Sequence, residues 1–406
     1  MRAPSEPDRG VFQRTFVAEA TRAVAAGVIE TSLATFAVFI AVTRFESGPA
    51  IKALLLGSPA LGLLGSLLVV PLVVRLQIRA SRAAAGVSFL SMGGFILAAS
   101  LPASEPAFIV GTTLGMGAIG MAIPLQTHYL RINYPSHSRG RLFSIAIVLR
   151  ALTALLVSWG FGEFLESQPD RYPVLLWSFV AAAFVSGCCQ FLVPSEAIQA
   201  GGSKKLDFLQ SVKLSSSDKG FVLLLIGAMV LGVGVLSSNA LRVDYLVNPE
   251  HGLNLDVKTV SLITGIVPSL VRLVSTFFWG WLFDRMDFFV LRILVNIVFL
   301  AGILLYFVWS DVRVILVGSA LFGMARGGGE ILFNLFVTKI APSANVASYM
   351  SVHTSLAGIR ILAAPFIGFF LVQWANIPVM VVFCSAVVIV SIFIVRRASV
   401  FYRKNA

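Results

Sequence analysis

Long apolar runs recur along the whole chain, and they decide what it can fold into. A helix needs about 20 largely apolar residues to cross the hydrocarbon of a bilayer. Twelve segments reach that length: 22–43, 50–74, 83–101, 106–130, 142–165, 173–193, 220–246, 257–283, 288–309, 313–338, 346–374 and 377–395. Only 12% of the 406 residues are charged and 57% are hydrophobic, whereas a soluble domain carries about 25% charged residues. A soluble globular protein, a disordered chain and a disulfide-stapled secreted domain are all excluded. Cys188, Cys189 and Cys384 fall inside apolar runs, which suits neither a disulfide framework nor a metal site. The opening MRAPSEPDRG is polar and mixed in charge. The first apolar run exceeds the length of a signal-peptide core, so no cleaved leader is expected.

The formal charge of +12 would suggest a nucleic-acid partner in a soluble chain. The positions of the cations give a different reading. Lys and Arg in short loops collect on the cytoplasmic side of a membrane protein. Alternate loops and the two tails hold 21 of them, including Arg75, Arg79, Arg82, Arg139, Arg141, Lys204, Lys205, Arg285, Arg292 and Lys339. The opposite side holds five: Arg44, Lys52, Arg171, Lys258 and Arg313. Both termini are therefore expected in the cytoplasm of a multi-pass protein of the plasma or inner membrane, with no nucleic-acid role.

The longest polar stretch, 194–219, contains Gly201-Gly202-Ser203 and four lysines. It reads as a flexible cytoplasmic linker between an N-terminal six-helix bundle (1–193) and a C-terminal one (220–406). The halves match weakly when superposed. At an offset of 207, Val110-Gly111 meets Val317-Gly318, Gly120 meets Gly327 and Pro135-Ser136 meets Pro342-Ser343; at 209, Pro59 meets Pro268. Such matches are expected of transporters built from parallel repeats.

Twelve spans, a six-plus-six division, cytoplasmic termini and a central loop resemble the major facilitator superfamily of secondary transporters. One motif adds to the likeness. The loop after the second helix of a half in that family reads Gly-x-x-x-Asp-Arg/Lys-x-Gly-Arg-Arg/Lys, and the eighth span ends Gly280-Trp281-Leu282-Phe283-Asp284-Arg285-Met286. Asp287 and Phe288 then depart from the pattern, and the first half carries Pro71 and Arg75 instead of Gly and Asp. Arg139-Gly140-Arg141 resembles the family's short basic loop between helices four and five. The Gly-Pro signature of its antiporters is missing from Trp159-Gly160-Phe161-Gly162, although Ala364-Pro365-Phe366-Ile367-Gly368 occurs in span eleven. The resemblance implies an all-α membrane fold of twelve helices in two pseudo-repeat bundles around a central cavity. Spans three, six, nine and twelve would face lipid, and these four carry no mid-span charge.

An ionisable residue at bilayer depth costs about 2.5–3.5 kcal/mol on insertion scales, so it should face a cavity or a partner. Glu30 (span one), Arg150 (five), Arg272 (eight), Arg326 and Glu330 (ten) and Arg360 (eleven) are in that position. Arg242 and Asp244 lie near the outer end of span seven. Arginine outnumbers glutamate in this set. Its planar fork suits carboxylate or phosphate, which points to an anionic or zwitterionic solute. Glu30 is the proton-coupling candidate, because a carboxyl whose exposure alternates can load and release a proton; a permanent Glu30–Arg150 bridge is the structural alternative. Arg326 and Glu330, four apart, can pair along their helix, and Arg272 and Arg360 can instead cap carbonyls freed near Pro268 and Pro365. Gln126, Asn239 and Asn334 are polar candidates for solute contact. His128 and His353 suit packing or a gate, and His137 and His251 lie in loops.

No nucleophile with a base, metal cluster or phosphate loop is present in the pattern, so neither enzymatic activity, nor a metal, nor a cofactor is expected. The reading is a monomeric secondary transporter moving a small solute by alternating access, with protons as the coupling ion. A multidrug/proton antiporter, or a transporter-like sensor or assembly factor, remains the alternative. In the resembled family the cytoplasmic gate would comprise Gly280, Asp284, Arg285, Arg139 and Arg141, with the Asp284 carboxylate facing the positive end of a neighbouring helix. Asp284→Asn is then expected to increase labelling of cytoplasmic-face cysteine probes. Unchanged labelling would refute that role.

Overall fold

The computed structural model describes residues 9–31, 35–135, 139–196, 216–251, 253–340 and 346–405. Most of the linker expected at 194–219 lies outside them. Among the described residues the secondary structure is helical. The first half comprises α1 (Arg9–Thr31), α2 (Ala37–Thr43), α3 (Pro49–Arg75), α4 (Ala80–Ser100), α5 (Glu105–Asn133), α6 (Arg139–Ser167) and α7 (Tyr172–Leu192). The second comprises α8 (Lys219–Ala240), α9 (Arg242–Val247), α10 (Val257–Ser261), α11 (Val267–Arg285), α12 (Phe288–Phe307), α13 (Val312–Ile340), α14 (Val346–Trp374) and α15 (Ile377–Asn405). Among the described residues, ten helical segments are long and apolar enough to cross a membrane, and a shorter apolar stretch covers Pro49–Gly65. The chain is an integral, multi-pass membrane protein.

Helix starts follow local chemistry. The Ser104 hydroxyl accepts from Ala107 N at 3.4 Å, with Pro106 in the first turn. Asp218 accepts from Phe221 N at 3.0 Å. Asp287, which departs from the family motif, is the N-cap of α12 and accepts from Phe289 N at 2.9 Å. Each carboxylate satisfies amide hydrogens that an α-helix leaves without internal partners. Asp256 caps α10 through Thr259 N at 2.7 Å and the Thr259 hydroxyl at 2.8 Å. Burial alone would raise its carboxyl, but these hydrogen bonds outweigh burial and hold it below the ordinary carboxylate range. Between α10 and α11 the backbone widens into a π-helical turn, Leu262–Ile266.

The chain divides into two compact units, Met1–Phe45 with Leu55–Gly201, and Glu46–Leu54 with Gly202–Ala406. In the first, α4 packs on α5 and α7, and α1 on α6 and α7. In the second, α12 packs on α13 and α15, α8 on α14 and α15, and α11 on α13. Sparse polar contacts lock these apolar crossings. Ser88 donates to Gln190 Oε1 at 3.0 Å and Ser91 to Gly115 O at 2.7 Å. In the second unit Asn296 Nδ2 donates to Ser391 Oγ at 3.3 Å, and Ser391 donates on to Gly227 O at 2.8 Å. Such bonds and small residues hold helices together where lipid removes any hydrophobic preference for association.

Glycine sets the distance at close helix crossings. A Cβ at Gly120 would lie under 3.0 Å from Pro59 O, and one at Gly323 under 3.0 Å from Pro268 O. Backbone meets backbone there, and no side chain can yield. Gly323→Val should therefore lower stability by about 1–3 kcal/mol, read as a lower midpoint of thermal unfolding in detergent. Gly280→Ala, whose new Cβ meets only Ile331 Cδ1 at 3.9 Å, should leave that midpoint nearly unchanged.

Candidate functional site

In the first unit, α1 and α6 approach closely because residue 27 is glycine: a Cβ there would lie under 3.0 Å from Arg150 O and from Thr153 Cβ. One turn along α1, the Glu30 carboxylate meets Arg150 Nε at 3.0 Å. The pair is half-open, with 24% of the Glu30 side chain and 41% of the Arg150 side chain exposed. Charges so exposed within apolar helices would be costly against lipid, so they belong on a hydrated face.

The second unit holds a related cluster on α11 and α13. Arg272 Nη1 lies 3.3 Å from Glu330 Oε1, and Arg326 Nε lies 3.5 Å from the same oxygen. Gly327 lets the helices close at this level, since a Cβ there would meet Thr276 Oγ1 at 2.9 Å. Trp279 Nε1 donates to Met324 O at 2.8 Å one turn away. The Arg272 side chain is only 7% exposed, against 43% for Glu330 and 55% for Arg326. One carboxylate is thus shared by a buried guanidinium and an open one.

The other candidates are dispersed. Arg360 does not cap a carbonyl near Pro365; it lies over Gly232 and donates to Ala228 O on α8. Arg272 likewise turns to Glu330 rather than to the carbonyls around Pro268. Asn239 is exposed and accepts from Arg242 Nη1 at 3.5 Å, while Gln126 is half-buried on α5. Arg285 is exposed and stacks on Trp281 at 4.2 Å, and Gly280 is half-buried beside Ile331. The side chains of Asn334, Asp284, Arg139 and Arg141 lie outside the described residues.

Loop counting misplaces some charged groups. Lys52, counted among loop cations, is buried and pairs with Asp244, whose other oxygen lies 3.3 Å from His251 Nε2. Lys52 also sits over the Phe369 ring at 5.2 Å. Arg292, counted likewise, lies in the second turn of α12 beside an internal void. Arg242 is held inside the bundle: Nη2 donates to Ser319 Oγ at 2.7 Å and to Ile263 O at 3.1 Å, between the Tyr306 and Phe322 rings, while its buried Nε donates to no described group. The π turn presents the Ile263 carbonyl that it uses. Internal helix-to-helix pairing is the signal that could have exposed these groups, and a linear count does not carry it.

No protein-family profile matches the chain, and no curated protein sequence does either. Solved structures do match. The chain is similar to the nucleoside transporter NupG (13% identity, TM-score 0.75, covering 96% of this chain and 98% of that one). It is similar to the D-xylose-proton symporter (16%, TM-score 0.63, 95% of each chain). It is also similar to a bacterial homologue of the human lysosomal transporter Spinster, in its inward-facing, unoccupied form (13%, TM-score 0.62, 97% and 95%). The chain has the fold of major facilitator-type transporters.

The shared carboxylate generates an ordering of variants. Glu330→Gln should destabilise the protein by about 1–3 kcal/mol, because the buried Arg272 loses a charged partner. Arg326→Gln, at an open position, should cost under about 1 kcal/mol. Thermal unfolding in detergent measures both, and equal losses would contradict the geometry.

Proposed function

We propose that the chain is a proton-coupled secondary transporter that moves a small anionic or zwitterionic solute by alternating access. The observation that carries this reading is the pair of half-open arginine–carboxylate clusters, one in each compact unit: Arg150, Arg272, Arg326 and Glu330 stand on helices long and apolar enough to cross a membrane, and Glu30 reaches Arg150 from α1. A protein needing only stability would gain more from apolar residues at those depths, since replacing buried ion pairs with packed apolar side chains is often neutral or stabilising. The similarity in fold to a nucleoside transporter and to a sugar–proton symporter supports transport and proton coupling.

The finer architecture belongs to the same proposal. Twelve spans follow if α1 with α2 and the whole of α3 join the ten long apolar segments. A pseudo-repeat is supported by matched pairings. Taken in order as spans, the third packs on the fourth and sixth and the first on the fifth and sixth in one unit; the same pairs recur among the six spans of the other. Gly94 approaching Gly111 O, and Gly302 approaching Gly318 O, fall at equivalent crossings of spans three and four. Cytoplasmic termini rest on the uneven division of loop cations, which survives setting aside the inward-turned Arg292 on one side and Lys52 on the other. With them go residence in the plasma or inner membrane, a monomeric state, and a cytoplasmic gate of Gly280, Asp284, Arg285, Arg139 and Arg141.

In this mechanism Glu30 takes up a proton when its face opens to the more acidic side, which releases Arg150 for the solute. Deprotonation on the other side restores the pair and expels the solute. Arg272 and Arg326 supply the fixed positive charge that keeps an anionic group bound.

Purified protein in liposomes carrying a pH gradient tests this reading with a panel of radiolabelled nucleosides, sugars, amino acids and small carboxylates. The wild type should accumulate at least one anionic or zwitterionic member. Glu30→Gln should lose gradient-driven accumulation while retaining solute exchange at zero gradient. Failure of the wild type to accumulate any panel member would overturn transport, and full gradient-driven uptake by Glu30→Gln would overturn the proton role.

A further inference from the structure

Within the second unit, α8, α12, α13, α14 and α15 border a small, partly open void. Leu224, Phe288 and Leu332 contribute to its apolar wall. Its polar side is made by Arg292 of α12 and by His353 and Arg360 of α14. Arg292, Arg360 and His353 thus border one void, where like charges in apolar surroundings are unfavourable to one another. Among the described residues, neither arginine has a carboxylate within ion-pair distance. Arg360 spends one N–H on Ala228 O, and its buried Nε donates to no described group. None of Arg272, Arg326 and Glu330 is among the residues lining this void.

Two guanidiniums facing one void in apolar surroundings are an electrostatic liability. A buried imidazole escapes such a field by staying neutral, but arginine does not shed its proton. The remaining remedy is an anion, and the planar fork of arginine matches the spacing of oxygens on phosphate or carboxylate. We propose that this void is a binding site for a phosphate-type oxyanion, held by Arg292 and Arg360 with His353 beside them. The bound group would join α12 to α14 and, through the Arg360–Ala228 contact, to α8. Arg292 is the fifth residue of α12, about 6 Å from the helix start at 1.5 Å per residue. At that depth a lipid headgroup phosphate and a soluble phosphate have the same chemistry to offer, and basic pockets between membrane helices are known to take headgroups.

The test is thermal unfolding of delipidated, detergent-solubilised protein in two arms. One adds inorganic phosphate, with chloride at matched ionic strength as control; the other adds phosphatidic acid in mixed micelles, with phosphatidylcholine as control. The midpoint should rise by several degrees in at least one arm. A response to both additions marks a site open to soluble anions, and a response to phosphatidic acid alone marks a lipid site. In Arg292→Gln/Arg360→Gln the response should vanish, and the midpoint in chloride should not fall below that of the wild type, because a repulsive pair has been removed. An unmoved midpoint in both arms, or the same rise in the double variant, would overturn the proposal. Should the double variant not yield folded protein, Arg292→Lys decides: keeping the charge but losing the fork, it should raise the concentration for half-maximal stabilisation. No change there would equally overturn it.

Discussion

The structure depends on the cost of holding charge where water is scarce. Every arginine within an apolar span must be satisfied by the protein, opened to a hydrated face, or matched by something that binds. The second unit contains all three solutions. Arg242 is held by a serine, a π-turn carbonyl and two aromatic faces. Arg272 and Arg326 share one half-open carboxylate. Arg292 and Arg360 face a void with no described carboxylate. The first is architecture, while the other two are where the proposed solute and the proposed oxyanion would find a guanidinium.

That charge can be presented only where helices cross closely enough to fix it. Gly27 brings α1 against α6 one turn from Glu30, and Gly327 brings α13 against α11 at the level of Arg272. In both units the small residue sits beside the arginine–carboxylate pair, so close packing sets the distance between guanidinium and carboxylate. Glycine at these positions is less a source of flexibility than a means of aligning two charged side chains. The adjacent serine, asparagine and glutamine contacts serve a separate purpose, holding the bundle together where lipid offers no hydrophobic incentive.

The membrane fold is legible from apolar run length alone, because the bilayer imposes a single ruler on every span. Part of the candidate site is legible for a similar reason. Glu30 and Arg150 are the charged residues near the middle of their spans, and Arg326 and Glu330 are separated by one helical turn, so position and spacing in the sequence single out each pair. The residues that sequence misjudges lie near span ends. Lys52 and Arg292 look like loop cations in a linear count, yet both are turned inward by the helix that begins beside them. Arg360 shows another limit: the nearest freed carbonyl in sequence lies near Pro365, whereas the carbonyl it reaches belongs to Ala228, 132 residues away. The linear pattern reports depth in the membrane well and direction around a helix poorly.

Direction around the helix is also what separates the two kinds of arginine site. Arg326 and Glu330 follow one face of α13, with both side chains substantially exposed. Leu332 and Phe333 belong to the wall of the internal void. A single helix can therefore border an open, partly neutralised cluster and an inner, uncompensated one. Rotation or bending of α13 would alter both at once. An anion that fixes α12 and α14 would restrain that movement without touching the Arg272–Arg326–Glu330 cluster. Occupancy of the inner void and availability of the outer charges are then linked by the stiffness of one helix, and the link requires no direct contact between two ligands.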